Sequence, residues 1–127
     1  MISIIVDICK EFVGFLMKNK QIRKEKKEKI SQILEEISLV LQDTANKLKV
    51  DEYPHGNCVV MEKLSLDLEK KLQGEIPDED IKYLIDGLIQ SSKLEKEFSF
   101  RKDPETIPEI ERASGEFKTM SMLLTIS

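Results

Sequence analysis

The sequence predicts an all-α fold, an antiparallel up-and-down four-helix bundle with an additional apolar N-terminal helix. Three observations carry that expectation. Apolar residues recur at spacings of three and four through successive segments of the chain, the period of a helix face. Gly56, Gly74, Pro54, Pro77 and Pro104 fall at the joints between those segments, and Pro108 in the first turn of the last. Apolar residues make up 40% and charged residues 35% of the 127-residue chain, the mixture of helices with one core-facing stripe and a strongly solvated outer face. A chain of this length buries roughly two thirds of its unfolded surface, so a single domain over 1–127 needs no metal or disulfide staple.

The elements follow in order. A first helix over 2–18 places Ile5, Ile8, Cys9, Phe12, Phe15 and Leu16 on one stripe, which Ile4, Val6 and Val13 broaden beyond what one neighbour needs. A second, over 20–49, carries Ile22, Ile30, Ile33, Leu34, Ile37, Val40, Leu41, Ala45 and Leu48 along a nearly heptad seam. No proline or glycine lies between Phe15 and Lys49, so the two segments form either one bent helix or two helices with a break near Asn19; the break is the expected arrangement. Pro54 and Gly56 then predict a turn, Pro54 for want of an amide hydrogen and Gly56 by taking positive φ, with Asn57 capping a third helix over 57–73. Val60, Met61, Leu64, Leu68 and Leu72 are its stripe, and Gly74 its stop. After Pro77, acids at 78–80 suit the positive end of a helix over 78–98 carrying Ile81, Leu84, Ile85, Leu88 and Ile89. Thr106 and Glu109 match a capping box opening a fifth helix, over 106–125, with Ile110, Ala113, Phe117, Met120 and Leu124 inward.

Composition excludes several function classes. The net charge of −4 supplies no global field for nucleic acid. Two cysteines without a secretory signal fit a reducing, cytoplasmic setting. The apolar start is interrupted by Asp7, Lys10 and Glu11 and is short for a membrane span. Met1 and an ending without a linker fit a complete small protein. One histidine rules out the Glu-x-x-His pairs of carboxylate metal bundles, and no glycine-rich phosphate loop is present. No cofactor, small-molecule substrate or catalytic residue is therefore expected, and the protein is read as no enzyme. His55 and Cys58, three apart beside a helix start, are the nearest approach to a reactive thiol or half a metal site. The plainer reading makes Pro54, His55, Gly56 and Cys58 a structural turn, with the thiol packed as a small apolar group.

The N-terminal order of events is the most informative feature. An apolar helix runs into Lys18, Lys20, Arg23, Lys24, Lys26, Lys27 and Lys29, seven bases against only Glu25 and Glu28. Such a pairing can hold an anionic membrane surface, each base contributing about 1 kcal/mol near the leaflet. The alternative is a basic run that forms only the solvated face of a long helix. No aromatic side chains interleave with the bases, which argues against single-stranded nucleic acid.

The run Ala45-Asn46-Lys47-Leu48-Lys49, the turn Tyr53-Pro54-His55-Gly56-Asn57-Cys58 and the opening Met61-Glu62-Lys63-Leu64 resemble a small uncharacterised bacterial helical module, in which a Pro-His-Gly-x-Cys turn joins two bundle helices. The resemblance covers roughly residues 1–75. The architecture, an apolar helix attached to a bundle, also looks like the HeLo and mixed-lineage-kinase-like cell-death bundles that perturb membranes, a likeness of fold alone. Two functions are expected. The first is a non-enzymatic helical interaction domain binding a protein partner or itself through Ile5, Ile8, Phe12, Phe15 and Leu16. The second is a peripheral membrane-binding or membrane-perturbing bundle at the inner membrane surface, using the same helix and the basic patch.

Overall fold

The computed structural model describes residues 7, 10, 11, 13, 14, 16–18, 22–52, 54–75, 77–82, 85, 86, 89 and 106–126. Apart from the joints they are helical, with no strand among them. Helical positions at 7, 10, 11, 13, 14 and 16–18 make up α1; α2 is Lys24–Lys49 and α3 His55–Leu72; positions 78–82, 85, 86 and 89 make up α4; α5 is Thr106–Ile126. No described helix is long and apolar enough to cross a membrane.

Helix α2 is the spine of the fold. Among the described residues it packs most extensively on α5 and next on α3. Its stripe Ile30, Ile33, Leu34, Ile37, Leu41 and Ala45 is buried, meeting Ile110, Ala113, Phe117, Met120 and Leu124 of α5 and Met61, Leu64, Leu68 and Leu72 of α3 in one core. Ile81 and Ile85 of α4 and Val13 and Leu16 of α1 join the same cluster. Each of these side chains larger than alanine contributes roughly 1.5–3 kcal/mol by leaving water.

Two serine rungs set the pairing of α2 with α5. Ser31 Oγ donates to the Ser121 carbonyl at 2.7 Å and Ser121 Oγ to the Ser31 carbonyl at 2.8 Å. Ser38 and Ser114 repeat the exchange at 2.8 and 2.7 Å. Residue numbers rise on α2 as they fall on α5, so the helices run antiparallel. Positions 31 and 38 are one heptad apart and Ala45 is the next step, so small side chains mark the seam where the two backbones come close.

The joints differ in detail from the sequence expectation. Ile22 is bent and Arg23 extended (φ −61°, ψ 141°), so α2 begins at Lys24 rather than 20. The α2 C-terminus closes with Glu52 N–H on the Lys47 carbonyl and Asp51 N–H on that of Leu48, a Schellman pattern. The left-handed residue it requires is Asp51, at φ 58°, and not Gly56. Aspartate tolerates this region better than most residues, which leaves Gly56 inside the first turn of a helix that starts at His55. At the other end of α3, Gln73 (φ −57°, ψ 130°) and Gly74 (φ 84°) form a type II turn closed by Glu75 N–H on the Leu72 carbonyl. Pro77 accepts from the amides of Asp80 and Ile81 and so opens α4. Val60, expected inward, is exposed. A Cβ added to Gly14 would touch nothing within 4 Å, so that glycine does not serve close helix packing.

Candidate functional site

Pro54 is buried and caps α3, while Gly56 and Cys58 lie in its first turn, Cys58 half-buried with its amide on the Pro54 carbonyl. The side chain of His55 and all of Cys9 lie outside the described residues. Among the described residues, no group of three His, Cys, Asp or Glu side chains could hold a metal ion.

The turn's polar centre is instead Asn57, which sequence reasoning made a cap. Its side chain is buried and faces α2. Nδ2 donates to Asp43 Oδ2 at 2.9 Å and to Thr44 Oγ1 at 3.0 Å, and Oδ1 accepts from Lys47 Nζ at 2.7 Å. Lys47 also pairs with Asp43 at 3.2 Å. The Asn57 hydrogen bond, then that of Lys47, holds the Asp43 carboxyl below its ordinary pKa. All four polar side chains satisfy one another, so this knot serves to dock α3 on α2.

Of the apolar contact residues proposed for α1, Ile5, Ile8, Phe12 and Phe15 lie outside the described residues. Leu16 is 1% exposed and belongs to the chain's own core, beside Val13 and a partly buried Met17. It is therefore not open to a partner.

The basic patch divides. Lys18, Arg23, Lys24 and Lys29 are exposed, Lys26 is partly buried, and Lys27 is buried at 6% exposure; Lys20 lies outside the described residues. The reason is periodicity. Lys27 falls on the same face as Ile30, Leu34 and Ser31, so its stem is drawn towards the core.

Sequence reading missed two further sets. Antiparallel packing brings Lys70 and Lys71, in the last turn of α3, to the first turns of α2. There they line a cavity of about 290 Å³ with Arg23, Glu25, Lys26 and Lys29. The signal for this was present only as an expected antiparallel hairpin of the second and third helices. Lys26 also reaches Glu75 at 2.8 Å, tying the turn after α3 to the start of α2. The second set is apolar: Met122, Leu123 and Ile126, in the closing turns of α5, are 62%, 41% and 80% exposed. They lie at the same end of the molecule, since Thr125 bonds Ser31 near the start of α2.

No protein-family model, curated protein or solved structure matches this chain.

Proposed function

We propose that the chain is a non-enzymatic helical interaction domain, an antiparallel four-helix bundle that binds a protein partner or a second copy of itself. The observation that supports this reading best is the end of α5. There Met120, Ser121 and Leu124 face the core while Met122, Leu123 and Ile126 face outward. A helix that is apolar on both sides is built to be covered on both. This surface on α5 is proposed beside the expected stripe on α1, of which Leu16 is the one described residue and is buried.

Sedimentation velocity over a concentration series tests it, with the native chain beside Met122→Gln/Ile126→Gln. Both side chains are exposed, so the double variant keeps the core. The native chain should form a concentration-dependent dimer that the variant does not. Identical sedimentation of the two refutes the assignment of this face to self-association.

The membrane reading is favoured by one observation, the placement of these apolar side chains at the end of the molecule where α2 begins with the exposed bases Arg23, Lys24 and Lys29, as the Ser31–Thr125 bond shows. Flotation with anionic vesicles at low salt, lost with neutral vesicles, at high salt and in the Met122→Gln/Ile126→Gln variant, would select it over self-association.

A further inference from the structure

We infer that the cavity between the start of α2 and the end of α3 is a binding site for a phosphate-bearing group, a property separate from the apolar surface of α5. Five cations line it, Arg23, Lys26, Lys29, Lys70 and Lys71, against the single carboxylate of Glu25. Lys26 is partly neutralised by Glu75 at its rim. Among the described residues the remaining four make no ion pair, and like charges converging in one concavity repel unless an anion sits among them.

The backbone points the same way. The first turn of α2 carries the positive end of a 26-residue helix, where acids are favoured; it holds Glu25 against Lys24, Lys26 and Lys27. Its N-cap is Arg23, whose carbonyl accepts from the amides of Lys26 and Lys27 but whose side chain carries only donors and makes no cap bond, so it offers no acceptor to the amides of Lys24 and Glu25. A bound oxyanion supplies the acceptor and the negative charge together. At about 290 Å³ the cavity sits at the small end of ligand sites, which suits a phosphate or diphosphate with a modest substituent. Arg23 provides a planar fork for two oxygens; the lysines provide point charges.

Inorganic pyrophosphate is the soluble probe, titrated into the full chain by calorimetry at fixed ionic strength. The variants are Lys70→Gln/Lys71→Gln and, as the control of equal charge, Lys63→Gln/Lys118→Gln, whose residues are exposed and outside the cavity. Far-UV circular dichroism confirms that each variant folds. The expected result is one site per chain, weakened about tenfold or more by the cavity variant and little by the control, the scale of one lost charge-assisted bond. A parallel arm uses phosphatidylcholine vesicles containing either phosphatidic acid or phosphatidylserine at equal charge. Preference for phosphatidic acid, abolished by the cavity variant, would make a lipid headgroup the source of the phosphate; binding of pyrophosphate alone would make it a soluble ligand. No binding in either arm, or equal loss in the control variant, overturns the inference. Neither result bears on dimerisation through α5, which is read in the sedimentation of a different variant.

Discussion

Enlarging a serine rung should cost far more than deleting its hydroxyl. Ser38 and Ser114 are 4% and 5% exposed, and each donates to the other's carbonyl. In Ser114→Ala one donated bond is lost, about 1 kcal/mol. Ser38 keeps its own bond to the Ser114 backbone, and alanine returns about 0.5 kcal/mol of helix propensity. The net loss is about 0.5–1 kcal/mol. Ser114→Leu instead puts an isobutyl group where one hydroxyl spans the gap between two backbones. Separating the helices breaks both exchanged bonds, about 2 kcal/mol, and overpacking adds about 1–3 kcal/mol. A loss of about 3–5 kcal/mol corresponds to roughly 10–20 °C in Tm for a chain of this length, against roughly 2–4 °C for alanine. Thermal unfolding followed at 222 nm separates the two outcomes. If leucine proves as well tolerated as alanine, α2 and α5 do not approach closely at this rung and the pairing described here is wrong.

Other substitutions probe the joints. At Asp51, φ 58°, glycine should be about 1 kcal/mol more stable than alanine in urea unfolding, because both remove the side chain and only glycine is at ease in that backbone region; equal stability would mean another residue carries the turn. Asn57→Ala should lose about 1–2 kcal/mol by breaking the knot with Asp43, Thr44 and Lys47. The same knot predicts a pH effect. Folding lowers the pKa of Asp43 from its ordinary 3.8, so its contribution is present above that value and is lost as pH falls through the lower folded one. The stability gap between native and Asp43→Asn should therefore shrink on acidification below about pH 4, and a gap that is constant with pH would contradict the assignment. Lys27→Met should raise stability by about 1 kcal/mol, since the buried lysine has no ion pair among the described residues; a loss in chemical denaturation would show that its ammonium is satisfied.

Much of the fold was legible as periodicity. The inward residues of α5 read from spacing alone, Ile110, Ala113, Phe117, Met120 and Leu124, are all buried, as are Ile81 and Ile85 of α4. The stripe of α2 was legible for the same reason. What escaped were positions where residue type and location part company. Ser31, Ser38, Ser114 and Ser121 are polar by type and buried by place, and only their common heptad spacing signalled it. Lys27 was read as solvated because charge outweighs phase in a basic run. Gly56 drew the turn assignment because glycine is the usual left-handed residue, although Asp51 occupies that conformation three residues after Leu48. The cavity was least legible, since Lys70 and Lys71 meet Arg23, Lys26 and Lys29 only through the tertiary pairing of two helices. The candidate contacts at Ile5, Ile8, Phe12 and Phe15 lie outside the described residues.

The rungs have a degeneracy of their own. Slide α5 by seven residues along α2 and Ser114 arrives opposite Ser31, with the same hydroxyl-to-carbonyl exchange available. The ladder therefore fixes the azimuth of one helix about the other, while a slide of one heptad keeps one of its two rungs and leaves Ser121 opposite Lys24, so the ladder opposes that slide only through the bonds of the lost rung. The rest of the selection falls to contacts that do not repeat: Lys49 with Glu111 at 3.0 Å, and Phe117, the one aromatic side chain of the core among the described residues. A chain stripped of those contacts would keep its helices and its ladder, with only the bonds of one rung to hold the setting that aligns its two ends.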